Sequence, residues 1–362
     1  MQGRIDAGVV RIAADVTDQR VVAGTVFSDR PRGLAAALAR HPPAAIPDLA
    51  QRLFALCGMS HSVAATRALS MAGAPIAVPS LETTTRLLAA ERIGAHLQAT
   101  FMGWNATVPT TAPETAALSH ALALTRALDI EGDALVGALA TLGISARPST
   151  GSWADRLLAE AGNDGSGQGA PDALTAADDA QVLAALDRHE EAFAAAPRLA
   201  GRRPETGAAA RAARRGRPAN SAAERLGARL GEIAEAAQAI AGTGRPDPAE
   251  WIFAGSLGPG IGFCAVETPR GRLHHLARLG AGGAVERYLI LAPTEWNFAA
   301  DGPFAAALQN LRIESGAAKP AIERLASLYD PCVGCAIEVR ELHEAARPDD
   351  KTGVRPDAVR HA

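Results

Sequence analysis

The chain opens on two short apolar runs, VVRIAADV (9–16) and RVVAGTVF (20–27), separated by the polar turn TDQ. Both are rich in β-branched residues, which suit a pleated surface, so the pattern predicts a β-hairpin. From about residue 44 to 160 the apolar spacing becomes helical. The clearest helix start lies in TTAPETAALSHALALTRAL, with Thr111 as N-cap, Pro113 in the first turn and Glu114 completing a capping box. AGNDGSGQGAPDA (161–173) then breaks the pattern with glycine and aspartate and predicts a mobile loop, followed by a helical stretch at about 175–195. GRRPETGAAARAARRGRP (201–218) sets six arginines against one glutamate and predicts a solvated linker, with a docking surface for an acidic partner as the alternative. Helical order resumes with a capping box at Ser221 and Glu224, and Leu226, Leu230, Ile233, Ala237 and Ile240 share one face. RLHHLARL (272–279) and VERYLIL (285–291) flank the glycine-rich GAGGA, the mark of a second hairpin, and helical FAAALQNLRI and AIERLASLY deliver the chain to Asp330. A helical middle bracketed by strands predicts one mostly helical domain over 1–362. It carries a flexible Gly/Arg-rich region at about 161–222 and a C-terminal tail at 339–362.

Composition narrows the setting. With 48% hydrophobic residues in 362, the chain can bury a sizeable core. A net charge of −3 argues against general attraction to nucleic acid or anionic membranes. The N-terminus has no basic segment followed by an apolar run, and no stretch reaches the roughly 18 apolar residues of a membrane span. The expected location is therefore cytoplasmic, with no membrane insertion and no nucleic-acid partner. The four cysteines, at 57, 264, 332 and 335, are expected to be reduced thiols.

Cys332 and Cys335 sit three apart in DPCVGC, where Pro331 could open a helix that turns both thiols to one side. Spacing alone leaves a redox pair, half of a zinc site, a clasp for another soft metal, and two ordinary buried thiols all open.

Three stretches taken together carry a resemblance. EtPRGrLhH supplies Glu267, Pro269, Arg270, Gly271, Leu273 and His275; APTEWN supplies Pro293, Thr294, Trp296 and Asn297; DPCVGC supplies Asp330, Pro331, Cys332 and Cys335. Their order and spacing resemble the C-terminal third of a [NiFe]-hydrogenase large subunit, with its E-x-P-R-G-x-L-x-H, V-P-S-T-W-N and D-P-C-x-x-C-x-x-H. Upstream, ALCGMSHSVAATRALSMAGA is similar to that family's R-I-C-G-x-C and the Ala-rich helix after it. The resemblance implies an α+β, predominantly helical fold: a truncated large subunit with a central helical bundle and small peripheral β-hairpins.

The departures are as informative. The family holds nickel and iron with four thiolates, two of them bridging. Cys57, Cys332 and Cys335 match three of these positions, but Ser60 stands at a bridging one, and a hydroxyl protonated at neutral pH is a poor ligand for such metals. Ala55 replaces the motif's arginine. Glu338 stands where the family has a magnesium-binding histidine, and Pro31, Arg32, Gly33, Leu34 and Ala35 replace F-R-G-F-E, so that its magnesium-binding glutamate is lost as well. The resemblance therefore implies no nickel and no magnesium. It also implies that Arg270, Thr294 and the backbone near Pro293 remain as donors toward iron-bound cyanides.

This combination resembles the hydrogenase accessory (maturation) proteins of the HupK/HoxV type. It implies a non-catalytic assembly scaffold that transiently holds an Fe(CN)2CO unit before transfer to the large subunit. Metal ligands would come from Cys57, Cys332 and Cys335, with Cys335 the first choice for iron. Around them stand His61, as a nitrogen ligand or a hydrogen-bonding group, with Ser60, Arg270, Pro293, Thr294 and His275. Implied partners are a HypC-type small chaperone, a HypD-type protein and the large-subunit precursor. Two other readings stay open: a metal-free chaperone or decoy that mimics the large subunit, and a divergent hydrogenase large subunit. Cys264, Trp104 and Trp296 are expected to serve packing, and His274 to face away from His275.

Overall fold

The computed structural model describes residues 8–342 apart from 18, 32, 128, 146–147, 164–167, 245–246 and 315. Both expected hairpins are present, and strand pairing goes beyond them. Strands β1 (Val9–Thr17) and β2 (Arg20–Asp29) pair antiparallel. β3 (Asp172–Ala173) and β4 (Pro204–Glu205) make a short parallel pair. β5 (Ile252–Gly258), β6 (Ile261–Thr268), β7 (Gly271–Leu279) and β8 (Val285–Leu291) form an antiparallel meander. β9 (Gly334–Glu341) returns from the far end of the chain to pair parallel with β1, giving the order β2-β1-β9.

β6 and β7 are almost entirely buried, because the helix Gly58–Met71 lies across them. Gly262 makes this contact possible: a Cβ there would stand 2.1 Å from the Ala68 carbonyl oxygen and 2.2 Å from the Ala72 nitrogen. The long helices Leu81–Trp104 and Ala222–Ile240 pack on each other, and the latter uses the apolar face read from its spacing. Both capping boxes are formed, Thr111 with Glu114 and Ser221 with Glu224. Trp104 and Trp296 are both buried.

The arginine-rich run 201–218 is folded rather than a solvated linker. It contributes β4 and the helix Ala208–Arg214; carboxylates distant in sequence draw Arg211 inward and hold Arg202, Arg214, Arg215 and Arg217 at the surface. Arg211 is buried, donating to Glu232 at 2.6 and 2.8 Å and to Glu267 at 2.7 Å. Arg202 pairs with Asp172 and Asp178, and Arg215 with Glu235 and Glu250. A fully paired buried arginine cross-links elements, and removing one partner from such a pair costs about 3–5 kcal/mol. Nearby, Glu267 also accepts from Arg272, whose guanidinium reaches Asp179 as well. The helix Asp179–Ala195 is thereby tied to the meander, and the described part of 161–222 to the core. The end of the C-terminal tail, 343–362, lies outside the described residues.

DPCVGC departs from its expected form. The helix Ala318–Tyr329 ends at Asp330, whose φ of +43° is left-handed. Pro331 follows, and a proline just past a helix end stops helical continuation rather than starting a new helix. Cys332 therefore lies in a bend that leads into β9, and Cys335 is already the second residue of that strand.

Candidate cargo site between two distant cysteines

Cys57 is the N-cap residue of the helix Gly58–Met71, buried where the short turn Ala55–Cys57 meets that helix. Arg270, in the β6–β7 turn, donates from one amino group to the Cys57 sulfur at 3.1 Å and to the Leu56 carbonyl at 3.0 Å. Its other amino group lies 3.3 Å from Asp330. Burial alone would lower the Arg270 pKa, but Asp330 and the Cys57 and Cys332 sulfurs outweigh it and raise the value, so the guanidinium stays charged. Burial also pushes the Cys57 thiol up to about 12, the arginine offsetting only part of the effect. A metal binding there would have to displace that proton.

Cys332 is held from the opposite side. Pro293 opens the five-residue helix Pro293–Asn297, which buries Thr294. The Thr294 hydroxyl donates to the Cys332 sulfur at 3.0 Å and accepts from the Cys332 backbone N–H at 3.1 Å. In this structure both Arg270 and Thr294 are thus spent on the thiols, and neither lines the open space beside them.

That space is a cavity of ≈ 470 Å³ bounded by the end of β2, Pro31, Gly33, Leu34 and Ala35, the 52–57 turn, the end of the helix Asp179–Ala195, the end of β8, Glu295 and residues 332–334. Cys57, Cys332 and His61 all line it. So does Arg30, which the sequence reading did not single out. Arg30 pairs with Glu295 at 3.1 Å and also feels the Cys332 and Cys57 sulfurs. Its Nε is buried with no hydrogen-bond partner. Two clues were available: Arg30 directly precedes the Pro31–Ala35 stretch, and Glu295 is an acidic residue inside the P-T-E-W-N run.

Cys335 does not join the other two. β9 is locked to β1 with Val10 opposite Cys335 and Ile12 opposite Ile337. The twofold alternation of a strand then places Cys335, Ile337 and Val339 on the face that packs against the core. Burial pushes its thiol to about 11. The expected set of three thiols is therefore reduced to two lining the cavity. Among the described residues no group of three or more His, Cys, Asp or Glu side chains stands ready to hold a metal ion. Glu338 is exposed on the same strand, and Arg32 lies outside the described residues.

Ser60 is buried but turned away from the cavity role: its hydroxyl and its backbone N–H both bond Glu91, which also accepts from the Met59 N–H at 2.7 Å. Glu91 thereby satisfies the free N–H groups at the start of the helix Gly58–Met71. Burial raises its pKa. His61 stacks on Phe54, with ring centroids 4.1 Å apart, and its Nδ1 lies 3.0 Å from His275 Nε2. His275 is fully buried and its Nδ1 lies 2.7 Å from the Tyr288 hydroxyl. His274 faces the other way, as strand alternation requires, and binds Asp179 at 2.8 Å. Cys264 is wholly buried on β6.

Comparisons with known proteins bear on the family and the fold. The family model described as "Nickel-dependent hydrogenase" matches residues 206–338. The chain is 38% identical to the hydrogenase expression/formation protein HupK of Rhizobium leguminosarum bv. viciae, over 93% of this chain and 99% of that one. It is 34% identical to HupK of Bradyrhizobium diazoefficiens, over 84% and 89%. HoxV of Cupriavidus necator, also a hydrogenase expression/formation protein, is 29% identical over 87% and 93%. Among solved structures, the [NiFeSe]-hydrogenase of Dm. baculatum superposes with a TM-score of 0.53 at 16% identity, covering 89% of this chain and 95% of that one. A likeness this distant in sequence speaks for the fold alone. The chain belongs to the HupK family of hydrogenase expression/formation proteins and carries a truncated form of the [NiFe]-hydrogenase large-subunit fold.

Proposed function

We propose that this protein is a non-catalytic hydrogenase maturation factor that holds an Fe(CN)2CO unit as cargo before its transfer to the large-subunit precursor. The observation that carries this reading is the convergence of Cys57 and Cys332, distant in sequence, on one cavity that Arg30 also lines, paired with Glu295. Thiolates suit low-spin iron, and cyanide nitrogens are anionic acceptors that need charged donors when buried. On iron binding, Arg270 and Thr294 would support the two sulfurs as thiolates. Two protein thiolates leave such an iron unit loosely completed, which suits release to a partner. HypC-type and HypD-type proteins are the proposed partners in delivery, and neither nickel nor magnesium takes part.

The test is anaerobic purification followed by infrared spectroscopy. Cyanide and carbonyl stretching bands should be present in the native protein and lost in both Cys57→Ser and Cys332→Ser, while Cys335→Ser retains them. Clean, folded preparations without bands would sink the scaffold reading.

One observation favours a second reading. Only two thiols line the cavity, and one of them strongly prefers its proton. A metal-free chaperone or decoy that presents the large-subunit shape to maturation partners would need no more than that. Metal-free protein that still captures a HypC-type chaperone would favour it. Stoichiometric nickel in the purified protein would instead revive a divergent hydrogenase.

A further inference from the structure

His61 touches the cavity at one end of a buried chain of three rings, and the far end of that chain decides what its free nitrogen can do. The links are Tyr288 Oη to His275 Nδ1 at 2.7 Å and His275 Nε2 to His61 Nδ1 at 3.0 Å. His61 Nδ1 is thereby used, and Nε2 is the ring nitrogen left for the cavity that His61 lines. All three groups stay neutral. Burial lowers the pKa of both imidazoles, His275 to about 3, and raises that of Tyr288.

A neutral imidazole has one N–H and one bare nitrogen, so the chain has only two polarities. In the first, the Tyr288 hydroxyl donates to His275 Nδ1, His275 Nε2–H donates to His61 Nδ1, and the His61 proton sits on Nε2. In the second every arrow reverses: His275 Nδ1–H donates to the tyrosine oxygen, and His61 Nε2 is bare. Tyr288 is 1% exposed, and His275 Nδ1 is its hydrogen-bond partner. The second polarity leaves the tyrosine proton buried without an acceptor, which disfavours it by roughly tenfold to a hundredfold.

We propose that Tyr288, acting through His275, fixes the tautomer of His61, so that His61 Nε2–H donates a hydrogen bond to an anionic acceptor in the cavity instead of ligating a metal. Its surroundings agree. Arg30, on the same cavity wall, supplies a positive charge; it is paired with Glu295, which lines the cavity together with Glu191, and neither Arg30 nor a His61 protonated on Nε2 offers a lone pair to a cation. Tyr288 and His275 are positioning residues here, and His61 is the group that meets the ligand. That the acceptor is a cyanide of the iron cargo rests on the proposed function; the tautomer and the anion preference do not.

The experiment is nitrogen-15 NMR of the full-length, metal-free protein labelled at histidine. The expected result is His61 and His275 each carrying the proton on Nε2, with Tyr288→Phe converting His61 to a mixture of tautomers. Azide then serves as the probe, being a linear anion with terminal nitrogen acceptors. Its titration should give a saturable shift of the His61 Nε2–H resonance, weakened at least tenfold in Arg30→Gln. A His61 proton on Nδ1, a Tyr288→Phe spectrum unchanged from native, or no azide response would each overturn the proposal. On cargo-loaded protein, His61→Ala should move the cyanide bands and His61→Gln, which keeps an N–H donor, should move them less. Absence of bands in the native protein would count against the cargo reading alone, because the NMR result is independent of it.

Discussion

At the scale of single residues, the site is defined by which atom each donor reaches. Arg270 is retained in the motif that the hydrogenase resemblance picks out, but here its guanidinium closes on Cys57, Leu56 and Asp330. Thr294 does the same for Cys332. Arg30 and His61, which do line the cavity, lie outside the three C-terminal motif stretches. Cys57 illustrates how burial overrides local structure. A cysteine at a helix N-terminus beside an arginine would ordinarily be a reactive thiolate, yet desolvation pushes this one to about 12. Alkylation of Cys57 by iodoacetamide in metal-free protein at pH 8 should therefore be roughly a thousandfold slower than that of an unperturbed thiol. Peptide mapping over a time course would measure it, and labelling at the rate of an exposed cysteine would contradict the burial argument.

At the scale of elements, the helix Gly58–Met71 is the piece that matters most. It carries Cys57 at its N-cap, Ser60 and His61 in its first turn, and its position is set by contact with β6. Gly262 is the closest point of that contact, with backbone atoms of the helix where any Cβ would go. Gly262→Ala must push helix and strand apart, and overpacking of this kind costs about 1–3 kcal/mol, at times more. A fall in the urea midpoint of that size is expected, together with a change in the His61 environment, since His275 on β7 would no longer meet it. A neutral Gly262→Ala would mean that the helix is not seated as closely as described. β9 is the second decisive element. Its register with β1 takes Cys335 out of the cavity, a result of pairing between opposite ends of the chain that no local spacing rule contains.

At the scale of the whole molecule, charge and neutral polarity are buried together. Arg211, Glu232, Glu267, Arg272 and Asp179 tie the 179–214 region to the meander and to the long helix Ala222–Ile240. Three histidines are buried neutral: His61, His275 near 3 and His96 near 4, each lowered chiefly by desolvation. The sign of the pH dependence follows. The unfolded chain binds protons at these residues below its ordinary histidine value of 6.5, whereas the folded protein does not. Their contribution is therefore complete above about pH 6.5 and is lost as pH falls, by up to about 1.4 kcal/mol per pH unit for each residue. Glu232 and Glu267 are held low by Arg211 and their other cationic neighbours despite burial, which raises them; their loss follows only below about pH 4.5. Urea midpoints measured from pH 8 to 4 should begin to fall in the histidine window. A flat profile down to pH 5 would refute this assignment.

Much of the architecture was legible from the chain alone. Thr111 with Glu114 and Ser221 with Glu224 marked helix starts, and the β-branched runs marked the hairpins, because caps and strand periodicity are local physics. The motif stretches around Cys57, Arg270, Thr294 and Cys332 identified the residues that do meet. Tertiary structure decided the rest. The run of six arginines read as a solvated linker until a carboxylate pair from other elements drew Arg211 into the interior and others held Arg202, Arg214, Arg215 and Arg217 at the surface. A serine at a ligand position became a cap partner for Glu91, a residue more than thirty positions away. Cys335 left the site through a strand register set by the other end of the chain. His61, on a helix, met its ring partner His275 on a strand 214 positions away. In each case the deciding contact is long-range, and sequence spacing carries information only about neighbours along one element.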